Sequence, residues 1–144
     1  GCVIVGQDNA VLSMGFNGFP RGVVEEIEVV TQAENYPAFY SVIKLNDRWK
    51  RPAKYSWIEH AERNAIYNAA RHGIRIAGAR AYLNFEPYPC ADCTRGLIQS
   101  GIVEIIGPNL PLNGVGEGVN YHLDYAQTMC KEAGVKLRIV EWKE

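Results

Sequence analysis

Two short stretches of the chain hold residue types that bind a borderline metal ion: His60-Ala61-Glu62 and Pro89-Cys90-Ala91-Asp92-Cys93. Cysteine thiolates and neutral imidazole are the preferred ligands of tetrahedral zinc. Cys90 and Cys93 are three residues apart, which puts both sulfurs on one side of a first helical turn, and Pro89 suits the start of such a helix. A helix N-terminus favours anions and helps to keep both thiols as thiolates. If the helix opened by His60 starts against the cysteine helix, His60 completes a three-ligand set. The fourth position is then open to water, as in a catalytic rather than a structural zinc site. Zinc lowers the pKa of such a water to about 7. Glu62 lies beside His60 and outside the ligand set, so it can carry a proton from that water to a leaving group. The pattern is that of a hydrolytic device.

Several elements must position these residues. Gly1 to Gly6 reads as a buried strand, Gln7-Asp8-Asn9-Ala10 as a turn and Val11 to Phe16 as a second strand of a hairpin. Asn17 to Gly22 is a shaped loop dense in Gly and Pro. From Ile58 to His72 the chain reads as a helix, with Ala61, Ala65 and Ala69 forming a small-residue stripe that can lie close to a sheet. Gly73 is its stop signal. A strand follows over 79–85, a helix over 91–100, a strand over 102–106, a loop over 108–118, a helix over 121–133 and a last strand over 135–142. This alternation predicts an α/β fold in which helices cover both faces of a sheet through right-handed crossovers. The chain reads as a single domain over 1–144 with an insertion at about 23–58. That insertion starts acidic, at Glu25, Glu26 and Glu28. It ends basic, at Lys44, Arg48, Lys50, Arg51 and Lys54, with Trp49, Tyr55 and Trp57 interleaved. It is either a solvated excursion with a short helix or a lid whose cations and aromatics meet a nucleotide.

Bulk properties narrow the function. The 144 residues suffice for one domain with a core. No apolar run reaches the roughly 18 residues that span a bilayer, and the opening residues lack the basic start of a signal peptide, so a cytoplasmic protein is expected. The net charge of −1 argues against a long nucleic acid, which calls for a basic surplus, and suits a small nucleotide. Of the four cysteines, Cys2 and Cys130 read as buried packing residues outside any disulfide framework.

The two motifs together resemble the H-x-E and P-C-x-x-C signature of the zinc-dependent cytidine and deoxycytidylate deaminase superfamily. His60-Ala61-Glu62-Arg63-Asn64-Ala65-Ile66 is similar to the H-A-E-x-N-A-I run of the deoxycytidylate deaminases, and Gly15 to Gly22 to their G-[YF]-N-G-x-P-x-G loop. Leu97 to Ile102 resembles their helix-to-strand junction after the cysteines, and Tyr121-His122 a pair that follows their fourth strand. The resemblance implies a three-layer α/β/α sandwich around a mixed five-stranded sheet. It implies that His60, Cys90 and Cys93 bind Zn2+ and that Glu62 is the catalytic proton carrier. It places Asn17, Ala61 and Tyr121 at the substrate, Asn17 near the sugar and Tyr121 at the sugar-phosphate end. The implied reaction is hydrolysis of dCMP to dUMP and ammonia by a homo-oligomer, with a deoxynucleoside triphosphate as a possible effector. Two departures stand out. The run from Tyr82 to Pro89 is about two residues longer than the family's. Residues 7–59 contain no Cys or His for the second zinc that some relatives carry.

Other readings of these residues stay open. The same chemistry serves another base or an RNA, since the pocket decides the base. A nucleotide-binding regulator could keep zinc without catalysis. His72 reads as a charge partner of its helix end, Arg63 as a surface residue, and His122 as either a phosphate contact or a polar helix start.

Overall fold

The computed structural model describes residues 1–23, 48–85, 88–109 and 122–141. It divides into two compact units, one of residues 1–16 with 60–144 and one of residues 17–59. The larger unit holds strands β1 (Cys2–Val5) and β2 (Val11–Gly15), then, beyond the smaller unit, α2 (Ala61–Arg71), β3 (Arg80–Leu83), α3 (Ala91–Gln99), β4 (Glu104–Pro108), α4 (Leu123–Glu132) and β5 (Lys136–Val140). The smaller unit holds α1 (Lys54–Trp57).

The five strands form one sheet in the order β2-β1-β3-β4-β5. β1 pairs antiparallel with both β2 and β3, while β3, β4 and β5 run parallel. The expected mixed five-stranded α/β sheet is therefore present. The antiparallel pair follows from the tight turn after Val5, where the Gly6 N–H donates to the Ala10 carbonyl and Asn9 takes a positive φ of 69°. The parallel part follows from the helical crossovers, because parallel neighbours need a connection long enough to return along the sheet.

Registry brings Cys2, Ile4, Ser13, Gly15, Ala81, Leu83 and Ile105 to the same face, and all seven are buried. Against them lie Ala61, Ala65 and Ala69 of α2, Leu97 of α3 and Cys130 of α4, in one apolar core. Cys2 and Cys130 are free and buried, in keeping with their reading as packing residues. On the other face of β2 Met14 is more than half exposed, and so is Val11 at the start of the strand, beyond the register shift between Ile4 and Val5. No helix among the described residues is long and apolar enough to cross a membrane.

The helix expected over 58–72 starts three residues later. In the smaller unit Glu59 is held extended by a bridge to Gly18, with Gly18 N–H to Glu59 O at 3.2 Å and Glu59 N–H to Gly18 O at 2.9 Å. His60 is consequently the N-cap of α2 and not a residue inside it. The smaller unit also contains an edge-on contact between Phe19 and Trp49 and the Arg48 guanidinium 3.9 Å above the Trp57 ring.

The alanine stripe of α2 is matched by a glycine on the sheet. A Cβ on Gly15 would fall 2.3 Å from the Ala61 carbonyl oxygen and 2.4 Å from the Ala65 nitrogen. Helix backbone thus rests directly on strand backbone, which only Gly permits. Gly15→Ala should lower stability by about 2 kcal/mol or more, since overpacking here meets rigid main chain. Chemical denaturation checks this; an unchanged midpoint would show that the helix can move away.

Candidate metal centre

Two helices begin side by side at the heart of the site. His60 caps α2 with extended backbone (φ −74°, ψ 154°), and its carbonyl accepts the Asn64 N–H at 3.0 Å. Cys90 caps α3 in nearly the same conformation (φ −62°, ψ 163°), its carbonyl accepts the Thr94 N–H at 2.9 Å, and its Sγ faces the Cys93 N–H at 3.5 Å. Pro89 precedes the cap and directs its carbonyl to the Thr94 hydroxyl at 3.4 Å. Both side chains therefore project from helix N-termini, whose partial positive charge favours anionic sulfur.

The three expected ligands meet. His60 Nδ1 lies 3.5 Å from Cys90 Sγ and 3.4 Å from Cys93 Sγ, and all three donor atoms lie within 4.8 Å of one another. Two donors about 2.0–2.3 Å from one ion at the tetrahedral angle sit roughly 3.5 Å apart, so this spacing fits zinc. The trio is the cluster with metal-binding geometry found among the described residues.

Its protons are unevenly held. The Cys93 side chain hydrogen-bonds to Cys90 and, helped by His60, pulls the Cys90 thiol down to about 4 against the cost of burial. The same bond pushes Cys93 up, and burial adds to the rise. The imidazole of His60 is raised by its bond to Cys90, against burial. A divalent cation held by the trio would take the place of the protons on its donors.

Glu62 is the next residue but one after His60, in the first turn of α2, and is 1% exposed. Burial pushes its carboxyl above the usual range, while its own backbone N–H and the His60 charge pull it back. Its Oε2 is buried with no hydrogen-bond partner. A buried carboxylate oxygen without a partner is costly, and it marks a place where a further polar group is to be received.

The remaining sequence expectations fall as follows. Ala61 is the first residue of α2 and is fully buried. Asn17 begins the smaller unit. Tyr121 lies outside the described residues. Arg63, read as a surface residue, is three-quarters buried and lies 3.9 Å from Asp92, which also receives Arg95. Asp92 sits between the two cysteines, so this ion pair joins the two ligand-bearing helices. The sequence showed Asp92 only as a variable letter of the motif. His122 caps α4 with its ring stacked on Tyr125 at 5.1 Å.

A mixed sheet that seats two helix caps around a His-Cys-Cys trio defines a zinc-binding α/β domain, with the donors on the helices and the sheet as their platform. Residues 1–107 match the family model described as the cytidine and deoxycytidylate deaminase zinc-binding region. The chain belongs to the cytidine and deoxycytidylate deaminase family. It is similar to deoxycytidylate deaminase of Homo sapiens, 31% identical over 107 residues, covering 74% of this chain and 50% of that protein. It is also similar to a probable deoxycytidylate deaminase of Drosophila melanogaster, 30% identical over 106 residues (74% and 46%), and to the deoxycytidylate deaminase of Enterobacteria phage T2, 29% identical over 131 residues (72% and 65%). The chain spans about half the length of the first two of these relatives. In fold it resembles the dCMP deaminase of cyanophage S-TIM5 solved with dCMP and dUMP, with a TM-score of 0.58 at 19% identity, covering 98% of this chain and 79% of that one.

The Glu62 carboxyl makes a prediction about stability. Its folded pKa is raised, so between the unfolded and folded values the native state holds more protons, and stability falls as pH rises through that window. In metal-free protein Glu62→Gln should therefore raise the melting temperature at neutral pH. The gain should vanish below the unfolded carboxylate pKa of about 4.3. A pH series of thermal melts on both proteins tests this; a gain independent of pH would contradict it.

Proposed function

We propose that this chain is a zinc-dependent deoxycytidylate deaminase that hydrolyses dCMP to dUMP and ammonia. The observation that carries the reading is the buried Glu62 carboxylate with its partnerless Oε2, two residues from His60 and outside the trio. His60, Cys90 and Cys93 would hold Zn2+. When bound, the ion supplies Lewis-acid activation of water near neutral pH. Glu62 accepts a proton from the attacking water. It passes that proton to N3 of the ring, then takes the remaining proton of the hydroxyl added at C4 and gives it to the departing amino group as the C4–N bond breaks. Its raised pKa suits this double duty, because a carboxyl that is too acidic returns protons poorly. Burial around Glu62 keeps bulk water from competing for the proton.

Asn17, Ala61 and Tyr121 complete the nucleotide side of the reading, supported by the G-F-N-G loop, the H-A-E run and the Tyr-His pair. With it go a homo-oligomeric state, a cytoplasmic location and response to a deoxynucleoside triphosphate, for which sedimentation with and without that nucleotide is the direct assay.

Two measurements decide the core of the proposal. Ammonia release from dCMP, CMP, cytidine and a tRNA should be fastest with dCMP; dCMP bound without product would leave a regulator instead. Glu62→Ala should retain one zinc per chain and lose about 10²–10⁴-fold in kcat, the usual contribution of a positioned acid–base group. Cys93→Ser should lose zinc itself. Wild-type turnover in the Glu62 variant would exclude the proton-carrying role.

A further inference from the structure

The strand β2 is the outer edge of the sheet, so alternate carbonyls along it face away from β1. The carbonyls of Met14 on β2 and of Phe16 just past its end are taken up by side chains of α2. Asn64 Nδ2 donates to the Phe16 carbonyl at 2.8 Å, and Asn68 Nδ2 donates to the Met14 carbonyl at 2.7 Å. A third bond runs the opposite way, from the Ser13 hydroxyl to the Ala65 carbonyl at 2.7 Å.

The spacing of these bonds is commensurate. Asn64 and Asn68 are four residues apart on a helix, a rise of about 6 Å. Phe16 and Met14 are two residues apart on extended chain, about 6.8 Å. One helix face therefore reads two successive outer carbonyls, as a neighbouring strand would. The apolar contact between the same elements is made of small groups. Ala61, Ala65 and Ala69 present methyl groups, and Gly15 presents none, so the seam brings the backbones close without large side chains that interlock.

We propose that Asn64 and Asn68 are positioning residues: their amides grip the outer edge of β2 and set the height of α2 along the sheet. That height decides where His60 and Glu62, at the N-terminal end of α2, stand relative to Cys90 and Cys93 on α3. The inference rests on the proposed zinc site and on Glu62 as proton carrier. The amides bond to the strand edge and act on the site through the helix. A shift of about 1 Å in a reacting group costs on the order of 100-fold in rate, so a small slip of α2 is enough to matter.

The test uses Asn68→Ala, Asn64→Ala and the double variant, each loaded with Co2+ in place of zinc. Both amides lie at the solvent side of α2, so their removal leaves the core intact. Asn68→Ala is the cleaner single variant, since its partner Met14 lies within β2, whereas Phe16, the partner of Asn64, adjoins Asn17. It should lower kcat about 10-fold with KM within about twofold, and the double variant should lower kcat about 100-fold. The ligand-field bands of bound Co2+ should shift, and amide exchange should quicken in the first turn of α2 but not of α3. Asn68→Gln, which keeps a donor on a longer arm, should fall between wild type and alanine. It also serves if an alanine variant fails to fold. Unchanged cobalt bands and unchanged α2 exchange in the double variant would overturn the proposal. If the wild type deaminates no cytosine nucleotide, the functional reading fails, yet the cobalt bands and exchange still decide the grip.

Discussion

The structure depends on the meeting of two helix N-termini. α2 and α3 are far apart in sequence, yet their caps, His60 and Cys90, present donor atoms 3.5 Å apart. Each cap has extended backbone and hands its carbonyl to the fourth residue on. This geometry turns the side chain of a cap outward from the helix end, toward whatever lies beyond it. Two such ends pointed at one place concentrate partial positive charge, which two sulfurs and a carboxylate then answer. The rest of the fold is arranged to keep those ends together.

The sheet does this by close approach at one point and by exposure at another. Gly15 removes the side chain where α2 crosses, so the helix backbone comes down onto the strand. The alanines at 61, 65 and 69 do the same from the helix side. Contact this close leaves no room for side chains to interlock, and polar bonds carry the register instead, Ser13 to Ala65 within the seam and Asn64 and Asn68 at the strand edge. The Arg63–Asp92 pair then spans the two ligand helices at their outer surface. Because both partners are partly solvated, that pair adds little to the stability of the fold.

Electrostatic cost is concentrated where the chemistry would be. Glu62 is buried with an oxygen unpartnered, and the sulfurs of Cys90 and Cys93 crowd one imidazole nitrogen. Both features burden the metal-free chain, and a cation with its water at the trio would relieve them. An apolar residue in place of Glu62 would pack more easily. The carboxylate there is a cost to the metal-free chain.

Much of this was legible in the residues. The Cys90–Cys93 spacing, the nearness of Glu62 to His60, the alanine stripe and the alternation of strand and helix are local facts, set by chain geometry over a few residues. They determined the donor types, the acid–base candidate and the α/β class. Tertiary structure decided the rest. Pairing of Glu59 with Gly18 moved the start of α2 and made His60 a cap, an outcome that local helix propensity did not disclose. Packing chose Nδ1 as the imidazole atom that faces both sulfurs. Packing also gave Gly15, Asn64, Asn68 and Asp92 their work, since each acts on a partner from another element. A sequence states its neighbours along the chain; which residues meet across thirty or fifty positions depends on how the sheet and helices bury one another's surfaces.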